Sequence, residues 1–311
     1  MSKWSTLKRI LADRDYRTVR LAKSGFYNRM DDRKYLEKVY KARMGRPLNL
    51  ENPQLFSEKL QWLKLYDRNP LYTQLVDKYR VREYVAEKIG EEYLIPLLGV
   101  WDDPDDIDFD ALPDQFVLKC NHNSGTGMCI CRDKSKLDYK AVRKELKKGL
   151  QENFYLRHRE WPYKDVPRKV IAEKFMSTEA DRGLDDYRVY CFNGVPHMVY
   201  TYQSGALPSG NRPNIVSCDI FDIHWEPLPF RQKSDNAPVR PQAPANLGNM
   251  LTLSKCLSAG HPFMRVDFYE IDGRIYVGEL TLFPGGGFSP FHPSEWDKKI
   301  GAWLTLPKAD H

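Results

Sequence analysis

One hairpin near the end of the chain constrains the fold most. It runs Phe263-Met-Arg265-Val-Asp267-Phe-Tyr-Glu270, turns at Ile271-Asp272-Gly273, and returns as Arg274-Ile-Tyr-Val-Gly-Glu279-Leu-Thr281-Leu before Phe283-Pro-Gly-Gly-Gly287. Both arms are rich in β-branched and aromatic residues and alternate in character, which predicts two paired strands. A two-residue Asp-Gly loop would pair Ile271 with Arg274 and put Asp267 and Glu279 on opposite faces. A three-residue loop, with Gly273 left-handed in a bulge, pairs Glu270 with Arg274 instead. Arg265 then sits across from Glu279, with Asp267 diagonal to it and Thr281 on the same face. The shared face is the arrangement expected here. Two carboxylates, a hydroxyl and an arginine together suit a hard divalent cation holding a phosphate; the plainer alternative is an exposed edge hairpin with an Arg–Glu pair.

Composition narrows the setting. The 311 residues, 41% hydrophobic and 13% aromatic, suffice for one large or two coupled domains with a real core. No run of 18 apolar residues occurs, and the start, Met-Ser-Lys-Trp-Ser, lacks the apolar stretch of a signal peptide, so a cytoplasmic location is expected. The six cysteines are scattered and the seven histidines form no close pair, which argues against zinc or histidine metal sites. Charge is uneven: residues 1–50 hold 14 Lys/Arg against 5 Asp/Glu, a local excess of +9 in a chain of net +6. Such a segment is either a set of solvated helix faces or a surface for an anionic glycan or the inner face of a membrane. Nucleic acid is not expected, because no aromatic-basic RNA motif or zinc finger is present.

In chain order, residues 1–70 read as a basic, mainly helical region. A helix from about Leu71 to Ile89 carries Asp77-Lys78. The acidic stretch 102–110 reads as a loop. Phe116-Val-Leu-Lys119-Cys is a short strand feeding a loop over residues 121–127 with Ser124, Gly125 and Gly127, and Met128-Cys-Ile-Cys131 returns. This is no Walker A loop, yet its backbone N–H groups can cover phosphates. A lysine pointing out of mid-sheet needs an anion or a solvent channel. Lys169-Val-Ile-Ala-Glu173-Lys174-Phe-Met176 and Asp186-Tyr-Arg188-Val-Tyr-Cys-Phe192 are further strands, the second turning at Asn193-Gly194. Residues 205–213, with Arg212, read as loop, and residues 227–244 as a proline-rich connection. Asn246 caps a helix to Ser258, and a short helix starts at Ser294.

Asp77-Lys78, Lys119 with its loop, Glu173-Lys174-Phe-Met176, Asp186-Tyr-Arg188 and Arg265-Val-Asp267…Glu279-Leu-Thr281 fall in an order that resembles the ATP-grasp superfamily. Leu60-Gln-Trp-Leu63, Asp77-Lys-Tyr79, Phe116-Val-Leu-Lys-Cys-Asn-His122 and Gly278-Glu-Leu-Thr281 resemble more closely its TupA-like group, named for teichuronopeptide synthesis and tied to bacterial surface polysaccharide assembly. The resemblance implies an α+β ATP-grasp fold in which two α/β lobes, residues 71–168 and 169–311, clasp ATP behind the basic helical region 1–70. It implies that Lys78 and Lys119 hold ATP phosphates under the loop of Ser124, Gly125 and Gly127. Glu173 would contact the adenine amino group, the backbone of Lys174 and Met176 the adenine edge, and Asp186 the ribose. Arg212, or else Arg188, would contact the γ-phosphate. Asp267 and Glu279, with Thr281, would carry one or two Mg²⁺, and Arg265 would stabilise an acyl phosphate. Residues 285–287 would let the backbone approach the substrate. The resemblance departs at Thr281, where ATP-grasp ligases usually carry asparagine; a hydroxyl is the poorer ligand, which leaves the second metal open.

The implied activity is that of an ATP-dependent carboxylate–amine ligase working through an acyl phosphate. Its expected partners are a uronic-acid-type glycan or other carboxylate and an amino acid. A kinase on the same fold and a glycosyltransferase of polysaccharide assembly are the alternatives.

Overall fold

The computed structural model describes residues 9–177, 184–204, 215–232 and 234–308. Contacts divide the chain into two compact units: one of residues 1–69, 155–161 and 283–311, the other of residues 70–154 and 162–282.

The second unit holds two antiparallel sheets. Strands β1 (Leu97–Trp101), β2 (Phe116–Cys120), β3 (Met128–Cys131) and β4 (Val170–Lys174) form the smaller, in the order β1-β4-β2-β3. Strand β4 thus belongs with β1 to β3, although residue 169 had been expected to open the other lobe. Strands β5 (Asp186–Phe192), β6 (Val195–Ser204), β7 (Ile215–Asp222), β8 (Phe263–Ile271) and β9 (Arg274–Thr281) form the larger, in the order β7-β6-β5-β8-β9.

Alternation sorts the two faces of the small sheet. Phe116, Leu118 and Cys131 pack with Val142 and Leu146 of the helix Tyr139–Leu150, which covers that face. Lys119 and Glu173 point to the other face. The helix Leu247–Ser258 packs against β5, β6 and β8. Asn246 precedes it, but its side chain makes no cap; it binds Glu270 Oε1 at 2.6 Å and Gly273 O at 3.1 Å, tying the helix to the β8–β9 turn. The acidic stretch after β1 is a loop with one 3₁₀ turn, held to the basic helix by Lys147 to Asp105 at 2.5 Å and by Arg143 to the carbonyls of Pro104 and Ile107.

In the first unit the helices Arg14–Lys23, Asp32–Met44 and Phe56–Tyr66 carry the helical reading of residues 1–70, and Glu295–Trp303 is the short helix expected from Ser294. Tyr35, Leu36, Val39, Tyr40 and Phe288 form one core cluster. Asp297 accepts from the Ser57 amide at 2.9 Å and the Ser57 hydroxyl at 2.6 Å, and pairs with Arg46. Arg159, 2% exposed, donates to the carbonyls of Tyr27, Asn28 and Met30 and lies over the Tyr35 ring. Arg46, Arg159 and Lys59, which binds Gly301 O and Leu304 O, show that cations help hold this unit together.

Candidate active site

Lys78 does not sit inside a helix. The expected helix over residues 71–89 is two, Leu71–Val76 and Val81–Ile89, broken at Asp77. Asp77, 1% exposed, accepts through Oδ1 from the amides of Tyr79 at 2.8 Å and Arg80 at 3.3 Å and from Asn121 Nδ2 at 2.8 Å. An aspartate capping the backbone two and three residues on competes with helix continuation. The break lets the Lys78 amide donate to Asn121 O at 3.0 Å, while Asn121 also bonds Pro167 O and the Lys169 amide. Lys78 Nζ donates to Asn123 O at 2.5 Å and stands 3.8 Å from Glu279 Oε1. One lysine therefore touches the loop after β2 and a carboxylate on β9. Burial lowers its pKa against the pull of Glu279.

Lys119 reaches Glu173 diagonally across β2 and β4, with Nζ 2.6 Å from Oε2. Arg82, donating to Ile95 O at 2.8 Å, flanks the other oxygen of Glu173 at 3.9 Å. The carboxylate expected at the adenine amino group is thus engaged by the lysine expected at the phosphates. The loop 121–127 is anchored at its ends: the Cys120 amide donates to Gly127 O at 3.0 Å, Asn123 Nδ2 to Gly149 O at 3.1 Å, and the Gly127 amide to Glu145 at 3.3 Å. Gly127 is left-handed at φ 65°, and a Cβ there would lie 2.5 Å from Cys120 Sγ and 2.8 Å from Gly149 Cα. Two glycines let the loop close on its supporting helix.

Across the larger sheet Arg188 pairs with Asp267 and Tyr190 with Arg265 on β5 and β8, while Asp267 pairs with Glu279 and Arg265 with Thr281 on β8 and β9. The expected shared face is present, but its route is different. The turn is the two-residue one: Ile271 pairs with Arg274, with Asp272 and Gly273 both left-handed at φ 51° and 73°. That register alone would separate the carboxylates. A bulge intervenes between the pairs Asp267–Glu279 and Phe268–Val277, and the extra residue is Gly278. One unpaired residue shifts the alternation by one and returns Glu279 to the face of Asp267. The expected pairings of Arg265 with Glu279 and of Glu270 with Arg274 are thereby corrected.

On this face Arg265 clamps Asp267 with Nε to Oδ1 at 2.6 Å and Nη2 to Oδ2 at 2.5 Å, and Nη2 lies 3.5 Å from Glu279 Oε2. Arg188 binds Asp186 Oδ2 at 2.5 and 2.9 Å, stands 3.6 Å from Asp267 and stacks 4.0 Å over Tyr202. The Thr281 hydroxyl donates to Glu279 at 3.5 Å. Burial pushes the Asp267 carboxyl up to about 6 although Arg265 and Arg188 oppose it. Burial also works against ionised Glu279, but Lys78, Arg265, Arg188 and Lys119 outweigh it and hold that carboxyl below its usual value. Asp186 Oδ1 is buried without a hydrogen-bond partner among the described residues, a vacant acceptor suited to a hydroxyl.

The second unit thus brings together Lys78, Lys119, Glu173, Asp186, Arg188, Arg265, Asp267, Glu279 and Thr281. The Lys174 amide donates to Pro96 O at 2.9 Å, so that N–H is spent on extending the sheet rather than offered to an adenine edge. Met176 follows β4, and Ser124 and Gly125 lie in the anchored loop. Arg212 lies outside the described residues. Sequence reading missed Asn121 and Arg82 as positioning groups; Arg82, in the helix that follows the break at Asp77, carried no distinguishing signal. Among the described residues no three His, Cys, Asp or Glu side chains gather into a preformed metal cage. Magnesium bound through phosphates needs only one or two carboxylates, and Asp267 and Glu279 with the Thr281 hydroxyl are hard oxygen donors that fit it.

Fold comparison finds ATP-grasp enzymes at low identity. The D-alanine–D-alanine ligase of Bacillus anthracis is 18% identical, with 67% of this chain and 57% of that chain covered and a TM-score of 0.37. The D-alanine–D-alanine ligase of Helicobacter pylori is 16% identical over 81% of this chain and 69% of that one, with a TM-score of 0.42. The L-amino acid ligase of Bacillus licheniformis is 15% identical over 89% and 56%, with a TM-score of 0.43. The chain therefore spans little more than half the length of the first and third. No curated protein sequence matches it significantly. The sequence profile described as TupA-like ATPgrasp matches residues 58–305, most of the chain and all of the site residues above, and the chain belongs to the TupA-like ATP-grasp family.

Proposed function

We propose that the protein is an ATP-dependent carboxylate–amine ligase. The observation that carries this reading is the pairing of Asp267 with Glu279 beneath Arg265, with Lys78 spanning from Glu279 to the loop after β2. A carboxylate is a poor electrophile at neutral pH; phosphorylation converts it to an acyl phosphate that an amine attacks. Phosphoryl transfer depends on positioning and on neutralising charge. Lys78 and Lys119 supply two cations for ATP phosphates, and Glu173 and Arg82 orient Lys119. The vacant oxygen of Asp186 suits a ribose hydroxyl. Asp267 and Glu279 would hold Mg²⁺, which supplies Lewis-acid neutralisation of the phosphates when bound. Arg265, released from its bidentate hold on Asp267, is placed to meet charge developing on the acyl phosphate, with Arg188 beside it. Arg212 is retained as a γ-phosphate contact on the resemblance alone.

For substrates we propose a uronic-acid-type carboxylate and an amino acid, in bacterial surface polysaccharide assembly. Family membership supports this, together with the basic region of residues 1–50, which suits an anionic glycan or membrane surface. No described helix is long and apolar enough to cross a membrane. The test is ADP release over a matrix of amino acids and uronate-containing acceptors, with hydroxylamine replacing the amine. Hydroxamate formed with ATP and Mg²⁺ supports the ligase. ADP with a stable phosphorylated acceptor and no hydroxamate means a kinase, and transfer from a nucleotide sugar without ADP means a glycosyltransferase.

A further inference from the structure

The first unit carries a surface that the proposed chemistry does not use. On the helix Asp32–Met44, Tyr35, Leu36, Val39 and Tyr40 are buried and define its inward face. At about 100° per residue, Lys34, Lys38 and Lys41 fall within roughly 60° of one another on the opposite side. All three are exposed, and among the described residues none of their side chains enters an ion pair. The acids around them are taken. Asp31 accepts from the Lys34 amide at 3.2 Å as the helix cap, and Asp32 accepts from the Tyr155 hydroxyl at 2.5 Å and faces Arg159. Glu37 is held by Arg33 at 3.1 Å. Like charges three and four residues apart repel, so the stripe works against its own helix unless an anion meets it.

A phenyl ring stands beside the stripe. The turn of residues 24–30 joins the helix Arg14–Lys23 to the helix Asp32–Met44, and in it Phe26 is 71% exposed. Its ring meets the Tyr27 ring edge-on with centroids 5.3 Å apart, and Lys38 Nζ lies 5.4 Å from the centre of the same Tyr27 ring. Tyr27 therefore links the phenyl group to the stripe. The turn is pinned. The Phe26 amide donates to Leu21 O at 3.1 Å, the Asn28 amide to Gly25 O at 3.0 Å and the Met30 amide to Tyr27 O at 3.0 Å. Arg159 holds the carbonyls of Tyr27, Asn28 and Met30 from beneath. Arg14, Arg20, Lys23 and Arg29 are exposed as well and extend the positive field. A lone exposed phenylalanine is ordinary; one fixed beside lysines that lack counter-ions is the pattern of an interfacial surface.

We propose that Phe26 and the stripe of Lys34, Lys38 and Lys41 dock the protein on the anionic face of a bilayer. The phenyl ring enters the boundary between headgroups and acyl chains, and the three ammonium groups meet lipid phosphates. This assigns the basic region to lipid rather than to an anionic glycan, for two reasons. Lysine is a point charge with no fixed donor fork, which suits a fluid surface of anions, whereas fixed carboxylates are matched by bidentate arginine. The phenyl ring has no donor or acceptor for a glycan hydroxyl, yet gains from leaving water for hydrocarbon. The surface would serve a ligase or any other enzyme alike, so its test reads no turnover.

The full chain is floated with vesicles of phosphatidylcholine and phosphatidylglycerol in equal parts. The unaltered protein should rise with these and stay behind with pure phosphatidylcholine. Lys34→Glu, Lys38→Glu and Lys41→Glu combined should lower the partition at least tenfold, because each cation near an anionic surface adds to binding. A charge-matched control, Lys140→Glu, Lys144→Glu and Lys148→Glu on the helix Tyr139–Leu150, should stay within twofold. Phe26→Ser should lower the partition at least fivefold. All these side chains are exposed, and unchanged melting temperatures check that the variants fold. A fluorophore attached through Phe26→Cys, in a Cys256→Ser background that removes the exposed thiol, should shift to the blue on the mixed vesicles and not with polygalacturonate. Failure of the unaltered protein to float, or equal losses in the stripe variant and the control, overturns the proposal. Full binding by Phe26→Ser with an unshifted fluorophore overturns it too. Binding of polygalacturonate that the stripe variant loses, while vesicles stay unbound, makes the surface a glycan site and overturns it as well.

Discussion

Asp267 and Glu279 differ in what surrounds them, and the difference predicts unlike variants. Asp267 is 5% exposed and held at both oxygens by Arg265. Asp267→Asn leaves a buried guanidinium short of an anion, so it should lower both turnover and stability, the latter by about 3 kcal/mol. The Glu279 side chain is 36% exposed and meets its cations at 3.5 and 3.8 Å. Glu279→Gln should abolish Mg·ATP turnover with little change in the urea midpoint. Equal stability loss in the two, by urea titration, would contradict this contrast. At this scale the chain was legible where chemistry is rare. A mid-strand lysine such as Lys119, and acids in a β-branched strand, have few structural reasons to exist. Asn121 and Arg82 escaped notice because asparagine and arginine are ordinary in loops and exposed helices; only their partners, 44 residues away for Asn121 and Asp77, mark them.

The elements show where pattern reading succeeds by compensation. The strands β5, β6, β8 and β9 and the Asn193-Gly194 turn follow from alternation and turn chemistry. The β8–β9 turn was read against its own strongest signal, Asp272-Gly273, because the two-residue loop separates the carboxylates. The bulge at Gly278 reconciles the two; its one local sign is a glycine inside a strand, and Gly278 is not left-handed. The break at Asp77 was hidden for a related reason: apolar periodicity continues through it. Strand β7 was passed over because it follows loop-like residues and carries no turn pair. A prediction belongs to the loop of residues 121–127. Gly149→Ala ordinarily favours a helix by about 1 kcal/mol. Here the new Cβ would lie 2.5 Å from Gly127 Cα and 2.7 Å from Cys120 Sγ. The variant should keep its helix by circular dichroism yet raise KM for ATP at least fivefold, although residue 149 is no proposed ligand of the nucleotide.

Over the whole molecule, charge makes two measurable demands. Lys64 titrates near 7 when folded and near its ordinary value of 10.5 when unfolded. Between those values the unfolded chain binds more protons, so stability should rise with pH from about 7 toward 10.5, by up to roughly 1.4 kcal/mol per unit. Below pH 7 both states are protonated and this contribution is flat. Lys64→Met should remove the rise, and melting curves from pH 6 to 9.5 check it. The basic region makes the second demand. Its binding to anionic vesicles or to a polyuronate should fall steeply with salt, and charge reversal at Arg9, Arg14, Arg17 and Arg20 should abolish it in a flotation assay. Binding that survives reversal would reduce the region to a solvated surface. One consequence reaches beyond equilibrium. The first unit is stitched from three stretches, and Gln61 finds Gly286 across 225 residues of chain. At about 5–20 residues per second, a ribosome needs on the order of ten seconds or more to deliver the partner. Through that interval Tyr35, Leu36, Val39 and Tyr40 wait for Phe288 to complete their cluster. A chain terminated before residue 283 would therefore lose its beginning as surely as its end, and nascent copies are where a chaperone should be found bound.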